Sequence, residues 1–194
     1  PLIGRFVDRV PRRWSMTGGL VGLAIGVVFA AASTGIVWFT IALMLASLAK
    51  LVHDVSLGAW IADHVAFERR SRILGVTETS WALGLLIGVS AMGLITTLAS
   101  WRVAYATVAA AIAVAAIFVS RRIPYDRPTR RAVTARQRRR RMPRASWLVV
   151  IAMVGLMSSA QTMFITFGAW LEDEHGFSAA TLSAVTFGLG ALEL

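Results

Sequence analysis

Lys50, His53 and Asp54 fall within five positions of one another in the stretch LASLAKLVHDVSLGAW, residues 45–60. Both flanks are oily, IVWFTIALM before it and SLGAWIA around its end. An ammonium, an imidazole and a carboxylate placed this closely can form an ion pair, hold a polar ligand or pass protons. At about 100° per residue, Asp54 lies about 40° from Lys50 and one turn on, and His53 about 60° to the other side. The spacing therefore predicts that all three share one helix face, with Lys50 and Asp54 able to pair directly. Other polar side chains in apolar surroundings are candidates for the same work. Glu78 follows a basic loop by six residues, Gln161 is grouped with Ser158, Ser159 and Thr162, and Glu193 lies about 15 residues into the last apolar stretch. A metal site is not expected. His53 and His64 share a face but are eleven residues apart, roughly 16 Å along a helix. The chain also has no cysteine. No nucleophile–base set is present, so no catalytic residue, enzyme activity or cofactor is assigned.

The solvent around these residues decides their meaning. Of the 194 residues, 57% are hydrophobic and the mean hydropathy is +0.68, against roughly 45–50% apolar in soluble domains. A membrane-crossing helix needs about 20 mostly apolar residues. Six stretches approach this: 14–32, 36–66, 73–99, 101–120, 146–170 and 178–194. The expected fold is all-α, a polytopic helical membrane protein with about six transmembrane helices. A charge at mid-membrane costs about 2.5–3.5 kcal/mol on insertion scales, so it faces a partner or a watery cavity. That favours a cavity-lining role for Lys50, His53 and Asp54. The competing reading is a self-neutralising pair at a helix interface. Trp14, Trp38, Trp101 and Trp170 fall at the ends of the stretches, where an aromatic belt is expected.

The net charge of +10 is concentrated between the apolar stretches. Segments 1–13, 67–72 and 121–144 hold eighteen Lys and Arg, the turns near 33, 100 and 174 hold only Arg102, and Lys50 is within a helix. Basic loops stay cytoplasmic, so the three basic segments are expected inside the cell and the three turns outside. The same distribution argues for lipid headgroups and against nucleic acid as the partner of the Arg138–Arg141 run. Segment 121–145 reads as a charged linker, with residues 1–120 before it and 146–194 after it. The chain starts at Pro1 and stops inside an apolar run, so it is expected to be a fragment.

The first loop reads GRFVDRVPRR, a Gly-x-x-x-Asp-Arg-x-x-Arg-Arg spacing formed by Gly4, Asp8, Arg9, Arg12 and Arg13. This resembles the cytoplasmic loop signature of the major facilitator superfamily, with Phe6 in place of Leu and Pro11 in place of the second Gly. The chain is similar to that family's helices three to eight. The charged linker falls where the family has its central loop, SWRVAYA is similar to the family's usual Trp-Arg after its fifth helix, and AWIADHVAFERRSRILGVTETSWALGLLIG is similar to the fourth-to-fifth helix connection of bacterial efflux members. The resemblance implies a cytoplasmic latch at Gly4, Asp8, Arg9, Arg12 and Arg13. It also sets Lys50 at the place of a cavity-facing Arg. Gly84 and Gly88 match part of the antiporter pattern, where Val89 replaces Pro, and small residues at that spacing allow tight helix packing. The domains implied are the last part of an N-terminal bundle in 1–120, and in 146–194 the start of a C-terminal bundle, two helices with the second truncated.

Together these readings predict secondary active transport of a small molecule, proton-coupled efflux by alternating access, in the cell (inner) membrane. The expected partners are the substrate, protons and the lipid bilayer. Drug-like cations, sugars and small metabolites all fit, and the sequence specifies no oligomeric state. A non-transporting receptor or assembly subunit and an intramembrane enzyme are the alternatives.

Overall fold

The computed structural model describes residues 10–125 and 144–193, and every regular element among them is helical. The chain divides into two compact units, one of residues 1–129 with 183–194 and one of 130–182. In the first unit, α1 (Arg12–Ala32) begins directly after Pro11. It ends at Ser33, whose hydroxyl donates to the Ala30 carbonyl at 2.7 Å. α2 (Ile36–His64) follows after a short turn. Then come α3 (Phe67–Leu83), a π-helical segment (Gly84–Val89) and α4 (Ser90–Leu98), with no break in helical backbone between them. α5 (Trp101–Arg122) is capped by Ser100, whose hydroxyl accepts from the Val103 N–H at 3.3 Å, satisfying one of the orphan donors of a first turn. It stops ahead of Pro124, since the residue before a proline is disfavoured in helical geometry.

α6 (Arg144–His175) and α7 (Ala179–Glu193) are the remaining helices. Gly176, at φ +64°, ends α6. Its N–H returns to the Glu172 carbonyl at 3.0 Å, a left-handed cap that glycine adopts without a Cβ clash. Ser178 then starts α7, its hydroxyl accepting from the Thr181 N–H at 3.3 Å.

Within the first unit α1 packs against both α2 and α5, and α4 packs against α5. The centre is Val27, Ala46 and Ala109, with Leu23, Tyr105, Val108 and Ile112 around them. Buried apolar positions are mostly alanine, including Ala30, Ala42, Ala104 and Ala116, while Phe29, Ile36, Met44 and Phe118 are exposed. Small residues inside and large ones outside invert the pattern of a soluble core. The arrangement suits a lipid exterior, where close backbone approach rather than apolar burial brings helices together.

The closest approach is a seam between α1 and α2. A Cβ at Gly19 would come within 2.7 Å of the His53 backbone nitrogen, and one at Gly26 within 2.8 Å of the Ala46 Cβ. Gly22 meets Ala49 on the same seam. At Gly84 and Gly88, where tight packing was expected, a Cβ would meet nothing within 4 Å among the described residues. The local structure there is the π segment instead.

Among the described residues, four helices are long and apolar enough to cross a membrane: Arg12–Ala32, Ile36–His64, Trp101–Arg122 and Ser146–His175. These are four of the six stretches expected. The stretch 73–99 is helical, but its apolar portion is only Leu86–Leu98, because α3 carries Glu68, Arg69, Arg70, Arg72 and Glu78. The last stretch reaches 15 helical residues at Glu193.

Candidate functional site

α2 sets Lys50 and Asp54 one turn apart, and the Lys50 Nζ donates to Asp54 Oδ2 at 2.5 Å. The pair is half exposed, at 58% and 47% of the two side chains. It opens onto a cleft of about 600 Å³ between α2 and the continuous helix of residues 67–98. Thr77, Glu78 and Ser80 of α3 line the same cleft, with apolar walls from Leu57, Ile61 and Leu74. Gly84 and Val89, the first and last residues of the π segment, also line it. Single π turns within helices gather at functional sites because they displace side chains from the ordinary helical stripe.

His53 turns elsewhere. Its Nδ1 lies 3.1 Å from the Met16 carbonyl of α1. A carbonyl can only accept, so Nδ1 carries the proton in this contact. The expected shared face of Lys50, His53 and Asp54 therefore resolves into two. His53 and Asp54 are separated by about 100° around the helix, wide enough for one to meet α1 and the other the cleft. Gln161 sits on α6 in the second unit, exposed, and Glu193 is the last residue of α7.

Gly4, Asp8 and Arg9 of the expected latch lie outside the described residues. Arg12 and Arg13 open α1. Arg12 Nε donates to Asp63 Oδ2 at 3.4 Å, with the two side chains 19% and 36% exposed. The structure thus joins the foot of α1 to the foot of α2 through Asp63, which the sequence places only near the cytoplasmic end of its stretch. The signal for it was the short turn at 33–35. That turn makes α1 and α2 antiparallel neighbours and brings both feet to one side.

By sequence Arg70 is one of the charges of the basic loop 67–72. Its Nε donates to the Val65 carbonyl at 2.9 Å and its Nη2 to the Ala62 carbonyl at 2.7 Å. These donors satisfy carbonyls at the negative end of α2. At the other end of the bundle Arg102 Nη2 donates to the Ser33 carbonyl at 3.1 Å, and Phe39, Trp101 and Tyr105 form an aromatic cluster beside it.

The Major Facilitator Superfamily model matches residues 1–192 of this chain. An "Uncharacterized MFS-type transporter YwfA" of Bacillus subtilis (strain 168) is 29% identical over 102 residues, which is 53% of this chain and 25% of that relative. The match therefore spans about a quarter of the relative's length. No solved structure matches the chain. With helices throughout its described residues, four of them fit to cross a bilayer, and a family match over nearly its whole length, the chain belongs to the Major Facilitator Superfamily and is part of a multi-pass membrane protein.

Proposed function

We propose that the protein moves a small molecule across the cell membrane by secondary active transport, as a proton-coupled efflux permease working by alternating access. The observation that carries this reading is the cleft in which the Lys50–Asp54 pair and Glu78 meet, in a chain of this family. Lys50 and Asp54 can exchange partners as the cleft changes shape, and a carboxylate released from its ammonium can take a proton. The Arg12–Asp63 contact fits a cytoplasmic latch, made in one global conformation and broken in another.

In this reading residues 1–13, 67–72 and 121–144 face the cytoplasm. Residues 1–120 belong to the first helical bundle, 121–145 form the linker and 146–194 begin the second bundle. His53, Gln161 and Glu193 remain candidates for the coupling path, and the lipid bilayer is the constant partner.

The test is uptake into proteoliposomes holding the intact protein, with a panel of drug-like cations, sugars and small metabolites. Wild type should concentrate at least one of them when a pH gradient is imposed. Asp54→Asn fixes the uncharged state, so accumulation should be lost while exchange down the substrate's own gradient persists. An Asp54→Asn protein that still concentrates substrate removes Asp54 from coupling. Failure of wild type to move any member refutes the transport reading.

A further inference from the structure

We propose that the hollow where the ends of α1, α2 and α5 meet holds the phosphate of an anionic phospholipid, with the Arg102 guanidinium as its counter-charge. Three spans turn here: Arg12–Ala32 ends, and Ile36–His64 and Trp101–Arg122 begin. The ends of spans lie at the level of the lipid head-groups. The hollow measures about 310 Å³ and shares no lining residue with the cleft at Lys50 and Asp54. Its lining holds one guanidinium and, among the described residues, no carboxylate.

Arg102 is held in place and still has donors to offer. Its Nη2 donates to the Ser33 carbonyl at 3.1 Å, and its guanidinium carbon lies 4.7 Å from the centre of the Trp101 ring. Trp101 is fixed in turn by an edge-on contact with Phe39 of α2, ring centres 5.9 Å apart. Among the described residues no acid pairs with Arg102. A guanidinium carries five N–H donors in a rigid fork. One bond to Ser33 leaves enough of them to grip two oxygens of a phosphate. Thr34 lies on the same lining, and its hydroxyl can donate to a third oxygen. A zwitterionic head-group would bring an ammonium as well, which would find no carboxylate here and would meet Arg102 as a like charge. An anionic head-group brings only the charge that Arg102 is missing.

What adjoins the hollow favours a lipid over a free phosphate ester. Ile36 and Phe39 also line an apolar groove of about 570 Å³ that follows α2 as far as Leu51. From Ile36 to Leu51 the helix runs about 22 Å, longer than one leaflet's share of a hydrocarbon core about 30 Å thick. Leu43, Met44 and Leu48 wall this groove. An acyl chain leaving a phosphate at Arg102 can therefore lie against α2 without crossing a polar surface.

The test places the intact protein in phosphatidylcholine vesicles with a trace of phosphatidylglycerol that carries a photoreactive diazirine at the head-group end of one chain. Labelled peptides are then located by mass spectrometry. Residues 33–44 and 101–105 should be labelled, and the same diazirine on phosphatidylcholine should label them about tenfold less. Arg102→Gln should lower the phosphatidylglycerol label there by about tenfold, while label on the basic segment 121–144 stays as in wild type. Arg102→Lys should recover part of the loss, because it keeps the charge and gives up the fork. Glycerol phosphate added to the buffer should not displace the label. Four results would each overturn the proposal: no label at the hollow in wild type, the two lipids within about twofold of each other, displacement by glycerol phosphate, or Arg102→Gln within about twofold of wild type.

Discussion

Glycines one position apart in α1 should respond to the same substitution with opposite sign. A Cβ added at Gly26 would lie 2.8 Å from the Ala46 Cβ, 2.9 Å from its Cα and 3.0 Å from its backbone nitrogen. Ordinary carbon–carbon contact is about 3.5–4.0 Å, so the helices must part by several tenths of an ångström. Two of the three obstructing atoms are backbone, so no rotamer change on α2 relieves the clash. Gly19 is similar, facing the His53 backbone nitrogen at 2.7 Å and the Ala49 carbonyl oxygen at 2.9 Å. At Gly18 an added Cβ meets nothing within 4 Å. Alanine in a helix interior is favoured over glycine by about 0.8–1.0 kcal/mol, and overpacking costs about 1–3 kcal/mol. Gly18→Ala should therefore be neutral to stabilising by up to about 1 kcal/mol. Gly19→Ala and Gly26→Ala should be near neutral to destabilising by about 2 kcal/mol. The propensity gain cancels between variants, so their difference of about 1–3 kcal/mol isolates the seam. The assay is thermal unfolding of the intact protein in one detergent, with the variants run side by side. Equal melting temperatures for Gly18→Ala and Gly26→Ala would show that α1 and α2 are not in this register, and the placement of His53 against Met16 would fall with it.

Two further outcomes follow from the charges of the loops and the helix ends. On intact cells, cysteine at Ser178 should be labelled by an impermeant thiol reagent and cysteine at Thr134 should not, because the basic segments are retained inside; labelling in the reverse pattern refutes the orientation. Asp63→Asn should cost less than about 1 kcal/mol in stability, since its pair with Arg12 is partly exposed and screened; Arg12→Ala should cost more, because Arg12 has further interactions besides this one, and the opposite order in chemical denaturation would remove that explanation.

Fold class was legible because the bilayer imposes a single rule on composition, helices of apolar residues with satisfied backbones. The turns were legible too, since Ser33 to Gly35, Ser100 and Gly176 sit where the apolar runs pause. The apolar extent of the third stretch was less so. The stretch 73–99 looks apolar by composition, yet the helix containing it starts at Phe67 within the basic loop. It devotes its first half to charge and hydroxyls, and window hydropathy cannot show where a helix that begins in a polar loop becomes membranous. The Gly84/Gly88 spacing was visible, but a one-dimensional spacing has no partner attached to it. The π segment that occupies those positions has no sequence signature comparable to a proline.

The division of labour on α2 explains why the candidate site was only half readable. Helical angles put Lys50, His53 and Asp54 within about 100° of arc, and that arithmetic is correct as far as it goes. What it omits is the width of a neighbour. α1 approaches through Gly19, Gly22 and Gly26, where its own surface is bare backbone. It therefore comes close enough for His53 to reach the Met16 carbonyl across the seam. On the far side of the same arc Lys50 and Asp54 border the cleft with Glu78. The glycines that bring α1 up to α2 thus decide which polar side chain becomes part of the packing and which are left facing the cavity. Their spacing of three and four residues along α1 was in the sequence. Its consequence for residues more than twenty positions away required the register of the two helices.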